Sequence, residues 1–154
     1  MIAVASNAAA AAPLYLLDTN VLIHAVRGSP TWQRIKAACD PLLTEPRPIV
    51  SIVSHGELRS FAEQQEWGAL KRDQALFLLG YFARAGIDAP DVLDAYALMD
   101  TYSRRNGIKM GKNDLWIAAT AHVTGAVLVT TDRDFEHLHG LLLTRLLIEP
   151  ALQA

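Results

Sequence analysis

Short apolar runs and longer amphipathic segments alternate along the chain. The apolar runs have the length of strands and lack the every-second-residue polarity of a strand with one solvated face. Continuous runs of this kind are typical of strands buried on both faces of a parallel sheet. The predicted strands are Leu14–Leu17, Ile49–Val53, Ala126–Thr130 and, with a weaker pattern, Leu142–Ile148.

Segments with helical spacing fill the gaps between these runs. Ser29 and Pro30 are a favourable N-cap and first-turn pair for a helix through Cys39. Ser54 opens a second helix towards Trp67. Further helices are predicted over Leu70–Ala85, Asp91–Arg105 and Asp114–Thr124. This alternation predicts an α/β fold, a three-layer α/β/α sandwich around a mainly parallel sheet of about four to five strands.

Composition limits the class of protein. The 154 residues, 51% of them hydrophobic, are enough for one domain with a real core and argue against disorder. A net charge of -2 excludes a histone-like basic protein but allows a local basic patch. The single cysteine, Cys39, excludes an intrachain disulfide and a cysteine-based zinc site.

The N-terminal part of the chain is read as a separate feature. Residues 1–13 are interpreted as a low-complexity extension and residues 14–150 as a single domain. No run approaches the ~20 apolar residues of a membrane helix. No Lys or Arg precedes Asp18, whereas a signal peptide has a charged n-region. We expect a soluble, cytoplasmic protein.

Four acidic residues fall at positions where a site can form. Asp18, Glu57 and Asp132 follow three of the predicted strands, and Asp114 opens a helix. Sites in parallel α/β sheets form outside the carboxyl ends of the strands. Taken singly, three of the acids have structural explanations: Glu57 stands at capping-box spacing after Ser54, and the other two suit helix N-termini. Asp18 has no such explanation, because no helix cap requires an acid directly after this apolar strand.

Taken together, these acids predict a metal centre. Converging carboxylates repel one another unless protons or a cation join them. Oxygen ligands favour Mg²⁺ or Mn²⁺, and zinc is disfavoured because cysteine ligands and an organised histidine pair are missing. Such a cation activates water and stabilises charge on phosphate oxygens. Phosphodiester hydrolysis then needs no side-chain nucleophile.

Four segments resemble, in order and spacing, the acidic motifs of PIN-domain ribonucleases. They are Leu17-Asp18-Thr19-Asn20-Val21-Leu22, Ser54-His55-Gly56-Glu57-Leu58, Asn113-Asp114-Leu115-Trp116-Ile117-Ala118-Ala119 and Thr130-Thr131-Asp132-Arg133-Asp134-Phe135. The resemblance covers Leu14 to Ile148, and the size of the chain is similar to that of VapC-type toxins.

This resemblance implies a PIN-like fold and a metal-dependent endoribonuclease, the toxin of a type II toxin–antitoxin system. It also implies a homodimer and a cognate antitoxin that blocks the site. The implied catalytic and metal-binding residues are Asp18, Glu57, Asp114 and Asp132, with Asn20 and Thr130 as supporting polar residues. The T-x-D-x-x-F pattern favours Asp132 over Asp134 as the fourth acid and leaves Asp134 to cap the next turn.

Basic and aromatic residues have two interpretations each. A basic rim would attract RNA to an acidic centre, and solvated helix ends explain the same residues equally well. The candidate rim residues are Arg27, Arg105, Lys109, Lys112 and Arg133. Trp32 and Trp67 can stack on bases, although with 7% aromatic residues a role in the core is favoured.

Two other functions remain open, and a third fits the sequence poorly. One is a PIN-domain nuclease that acts without an antitoxin, and another is a PIN-like module that only binds a partner. The third is a phosphatase of the haloacid dehalogenase type. Such phosphatases use a second acid two residues after the first, where this chain has Asn20, which cannot serve as a general acid.

Overall fold

The computed structural model describes residues 12–152 and contains a five-stranded, all-parallel sheet. Its strands are β1 (Tyr15–Leu17), β2 (Ile49–Ser51), β3 (Ala83–Ala85), β4 (Val127–Thr130) and β5 (Thr144–Leu147). The strand order is β3-β2-β1-β4-β5, so β1 is central. The chain runs from β1 outwards to β3 and then returns to the other side of β1 with β4. The carboxyl end of β1 therefore lies at the point where the strand order reverses, where ligands bind in open α/β sheets.

Helices cover both faces of this sheet. They are α1 (Thr19–Arg27), α2 (Pro30–Cys39), α3 (Ile52–Gln64), α4 (Ala69–Tyr81), α5 (Pro90–Arg105), α6 (Lys112–Thr124) and a 3-10 helix (Arg133–Leu138). Successive residues of β1 face opposite layers: Leu16 packs with Ile117 and Phe135, and Leu17 packs with Val21. Both faces are buried, which explains why the strand sequences do not alternate. The predicted three-layer fold is confirmed.

The boundary between β2 and α3 differs from the prediction. The strand predicted to reach Val53 ends at Ser51, because the Ser51 hydroxyl caps α3 and accepts a hydrogen bond from the backbone N–H of Val53 at 3.1 Å. Ser54 therefore lies inside the helix, fully buried. The predicted capping box of Ser54 and Glu57 is wrong, and the Glu57 side chain has another partner.

Two elements depend on contacts that the local pattern does not carry. The helix predicted over Leu70–Ala85 ends at Tyr81, and Ala83–Ala85 forms the edge strand β3. This strand pairs with β2 through the register Val50↔Arg84. Helix α1 occupies a segment to which the apolar pattern assigned no element.

The N-terminal prediction is largely outside the structure. The interpreted extension, residues 1–13, lies outside the described residues except for its last two positions. Across residues 12–152, no helix combines the length and apolar character needed to span a membrane.

The Ser51 cap gives a prediction for stability. Replacing Ser51 with Ala leaves the Val53 N–H without its acceptor, so the free energy of unfolding should fall by about 1 kcal/mol. Ser60 lies on the exposed side of the same helix, and Ser60→Ala should change it by less than about 0.5 kcal/mol. Urea unfolding of both variants measures the difference. Equal losses in the two would contradict a capping role for Ser51.

Candidate active site

Asp18 is fixed at the carboxyl end of the central strand. It is 4% exposed, and its backbone N–H donates to the carbonyl of Val129 at 3.0 Å. Its Oδ1 accepts from the backbone N–H of Thr19, and its Oδ2 accepts from the hydroxyl of Thr130, both at 2.8 Å. Asp18 is the N-cap of α1. The interpretation that no cap explains Asp18 is therefore wrong: the same carboxylate starts the helix and enters the acidic site.

Thr19 connects this turn to α3. Its hydroxyl oxygen lies 2.8 Å from Ser54 Oγ and 2.8 Å from Glu57 Oε1. An ionised carboxylate only accepts, so Thr19 donates to Glu57, and the Ser54 hydroxyl is then the donor to Thr19. The hydroxyl chain holds Glu57 towards the end of β1.

Three further acids meet beside Asp18. Carboxylate oxygens of Asp114, Asp132 and Asp134 lie within 4.8 Å of one another. Asp114 is in the first turn of α6. Asp132 is the N-cap of the 3-10 helix, and its Oδ1 accepts from the backbone N–H of Asp134 at 2.9 Å. The prediction that Asp134 caps this turn is therefore wrong, and both acids belong to the cluster.

Thr130 joins two of the acids. Its hydroxyl donates to Asp18 and accepts from the backbone N–H of Asp132 at 3.0 Å. Thr130 is fully buried, so this link is shielded from water. Asn20, the other predicted supporting residue, is exposed, and its side chain makes no hydrogen bond within residues 12–152.

Burial and neighbouring carboxylates raise the pKa values of Asp18, Asp114 and Asp134. Burial is the largest cause of the rise for Asp18, whose pKa is about 6. Hydrogen bonds from Thr130 and Thr19 oppose the rise, and the charges of Glu57 and Asp132 add to it. All five carboxylates therefore share one electrostatic environment.

Asp114 shows the strongest effect of this crowding. Burial, followed by the charges of Asp18, Asp132, Asp134 and Glu57, raises its pKa to about 7. Burial also raises the pKa of Asp134, with the neighbouring Asp132 as the next cause. Hard carboxylate oxygens under mutual repulsion fit a divalent cation such as Mg²⁺ or Mn²⁺, which offsets the repulsion.

The candidate rim residues are only partly brought to this site. Lys109 and Arg133 line a pocket of about 400 Å³ together with Asp134. Arg133 also forms an ion pair with Glu149. Lys112 is exposed and begins α6, two residues before Asp114.

The two remaining rim candidates are not placed at the acids by any contact among the described residues. Arg27 ends α1, about 14 Å along the helix from Asp18, and its guanidinium lies 5.0 Å from the centre of the Phe61 ring. Arg105 is exposed at the end of α5.

Sequence reasoning missed Thr19 and Ser54 as parts of the site. A signal was present, because Thr19 directly follows Asp18 and Ser54 precedes Glu57 by one helical turn. Their partnership joins positions 35 residues apart, which no local pattern specifies.

The PIN-domain family model matches residues 15–141. The chain belongs to the PIN-domain family. The predicted PIN-domain family is thus confirmed. The matched residues run from the first residue of β1 to just beyond the 3-10 helix, so they include every acid of the site.

Relatives with known names and structures agree with this assignment. Ribonuclease VapC1 of Haemophilus influenzae (strain R2866) is 26% identical over 132 residues, covering 83% of this chain and 94% of the relative. The structure of VapBC-1 from nontypeable Haemophilus influenzae superposes with a TM-score of 0.73 at 23% identity, covering 89% of this chain and 99% of that chain. The structure of VapBC-5 from Mycobacterium tuberculosis, a member of the VapBC family of toxin-antitoxin systems, superposes with a TM-score of 0.62 at 25% identity. The match covers 89% of this chain and 98% of that chain.

The raised pKa values predict how metal-free stability depends on pH. The pKa values of Asp18 and Asp114 lie above the ~3.9 of an unfolded aspartate. Between these values the folded state holds protons that the unfolded chain has released. The contribution to stability is therefore complete below pH ~4 and is lost as the pH rises through about 6 for Asp18 and about 7 for Asp114.

Urea unfolding in EDTA between pH 4 and pH 8 measures this loss. In Asp114→Asn one of the two groups no longer titrates, so the free energy of unfolding should fall less than in the wild type over that range. Both proteins contain the same histidines, so the histidine contribution cancels when their free energies of unfolding are subtracted. Asp73→Asn, an exposed change on α4, should behave like the wild type. Parallel curves for all three proteins would contradict the proposed electrostatic coupling.

Proposed function

We propose that this PIN-domain protein is a metal-dependent endoribonuclease of the VapC type and the toxin of a type II toxin–antitoxin system. The observation that carries the proposal is the convergence of five carboxylates at the carboxyl edge of the sheet. These are Asp18, Glu57, Asp114, Asp132 and Asp134. The relatives named Ribonuclease VapC support an RNA substrate.

The donor set indicates which residues would hold the cation. Asp114, Asp132 and Asp134 bring three carboxylate oxygens together, and the charge of Asp18 acts on two of these groups. When bound, Mg²⁺ or Mn²⁺ lowers the pKa of water and offsets the charge of a phosphate oxygen. No side chain then has to attack the phosphodiester itself.

The hydroxyl residues keep the acids in fixed orientations. Thr130 and the Thr19 N–H each hold one oxygen of Asp18, so this carboxylate cannot rotate freely. The Thr19 hydroxyl holds Glu57 Oε1, and Glu57 Oε2 makes no hydrogen bond within residues 12–152. A carboxylate with one oxygen held and the other available can orient a water molecule and accept its proton.

Phosphate recognition would come from the basic side of the site. Lys109 and Arg133 line a pocket that also includes Asp134, so they lie next to the acids. Cations there would offset the repulsion between the acidic centre and the RNA backbone. Lys112, Arg27 and Arg105 remain candidates for more distant contacts.

The proposal includes a protein partner. VapBC-5, to which this fold is similar, is by name a member of a family of toxin-antitoxin systems. We propose that a cognate antitoxin covers the acidic site of this chain, that the chain forms a homodimer, and that it acts in the cytoplasm.

RNA cleavage by Asp18→Asn tests the proposed active site. Asn is as good an N-cap as Asp and can still accept from the Thr19 N–H, so the variant should fold. It removes a charge from the acidic centre, and the cleavage rate with Mn²⁺ should fall by about 100-fold or more. EDTA should abolish cleavage by the wild type.

The matched control is Asp73→Asn, which removes an acid from the exposed face of α4. It should cleave a labelled single-stranded RNA at the wild-type rate. Equal rates for Asp18→Asn and the wild type, with metal present, would refute the proposed site.

Lys109→Ala tests the phosphate contact. Removing one cation that neutralises a phosphate should weaken RNA binding for all sequences. It should also reduce the slope of log K against log salt concentration by about 1. Lys71→Ala is the control, because Lys71 is on α4, where its ammonium group lies over the Trp67 ring and lines no pocket with the acids. A slope for Lys109→Ala that matches the control would exclude Lys109 from the RNA contact.

A further inference from the structure

A groove between α3 and α6 opens beside the acidic centre. Its volume is about 630 Å³, and Glu57 and Asn113 are among its lining residues. Asn113 directly precedes Asp114. Glu57 therefore belongs to both the groove and the acidic site, so a base bound in the groove would lie next to a substrate held at the acids.

The lining of this groove does not suit a phosphate. Glu57 is its one charged lining residue among those described, and no Lys or Arg lines it. Its other polar groups include the amides of Gln64 and Asn113, and its apolar surface includes the rings of Phe61 and Trp116. Neutral hydrogen-bonding groups beside aromatic rings are the features that bind unstacked nucleobases.

Both rings are held by their neighbours. Trp116 packs against Tyr96, with ring centres 4.1 Å apart, and is only partly buried. Phe61 meets Trp67 edge to face at 5.6 Å. Ordering these rings on binding therefore costs little conformational entropy. Trp67, a stacking candidate in the sequence, is 7% exposed and belongs to the core.

The two amides have capacity for a ligand. The Asn113 side chain is exposed and makes no hydrogen bond in the described part of the chain. Gln64 donates from Nε2 to Ser60 Oγ at 3.1 Å, and its Oε1 is left as an acceptor. A side-chain amide carries both donors and acceptors, so it can distinguish the edges of different bases.

We propose that this groove binds one unpaired nucleobase adjacent to the cleaved phosphate, stacked against Trp116 and contacted by Gln64 and Asn113. This base site rests on the proposed endoribonuclease function, because it places the base relative to the acids. It adds a source of base preference that the acids and the basic residues do not supply.

Binding in EDTA, where the metal-dependent reaction cannot proceed, tests the base site. The probes are a mixed-sequence single-stranded RNA tetranucleotide and an abasic chain with the same number of phosphates. Repulsion from the acids is the same for both, so the ratio of their affinities reports base contacts alone. We expect the full chain to bind the tetranucleotide about ten-fold more tightly than the abasic chain.

Variants locate the contact. Trp116→Leu should bring the affinity ratio close to one. Gln64→Ala should reduce the affinity ratio several-fold. It should also make the four bases more equally frequent beside the cut in sequenced cleavage products. Gln65→Ala is the matched control, since this neighbouring amide is exposed but does not line the groove. It should keep the wild-type ratio. Circular dichroism verifies that each variant is folded.

Several outcomes would overturn the base site. A wild-type ratio near one would do so, as would an unchanged ratio in both groove variants. If Trp116→Leu instead changes the mass measured by sedimentation and leaves the affinity ratio unchanged, that result would assign the groove to a second copy of the chain. If the wild type cleaves no RNA with Mn²⁺ but keeps the expected affinity ratio, the result counts against the proposed function and not against the base site.

Discussion

The hydrogen bonds around Asp18 are the constraint on which the site depends. This carboxylate ends β1, starts α1 and accepts from Thr130 on β4. Thr130 in turn accepts from the backbone of Asp132, and Thr19 extends the network to Glu57 on α3. Uncharged hydroxyl and amide groups therefore set the positions of Asp18, Glu57 and Asp132. These donors can hold carboxylates together, whereas contacts between the carboxylates alone would drive them apart.

The fold offsets part of the repulsion among the acids. Helices α1 and α6 both begin at this edge, and their N-termini favour negative charge. This is not enough for all the acids, because the pKa of Asp114 still rises to about 7. Protons thus neutralise part of the cluster at neutral pH in the absence of metal. A bound cation would displace them, so metal binding and proton release are coupled.

Local signals predicted most of the fold and the acids, and long-range contacts decided the rest. Helix α2 has the predicted bounds because Ser29 and Pro30 specify its start within a few residues. The edge strand β3 has an Ala-Arg-Ala sequence that no strand pattern marks, and pairing with β2 defines it. Acids after strands were predictable from sheet topology. The role of Thr19 was not, because its partners come from α3, in a distant part of the sequence.

The net charge of -2 conceals an asymmetry around the acids. Lys109 and Arg133 line a pocket with Asp134, whereas the separate groove lined by Glu57 contains no cation among its lining residues. A duplex presents two rows of phosphates, and one row would then meet Glu57 without a neutralising partner. A single strand can place its phosphates on the basic side and turn a base into the groove. Together, the two proposed contacts therefore favour unpaired RNA for an electrostatic reason, separate from any recognition of sequence.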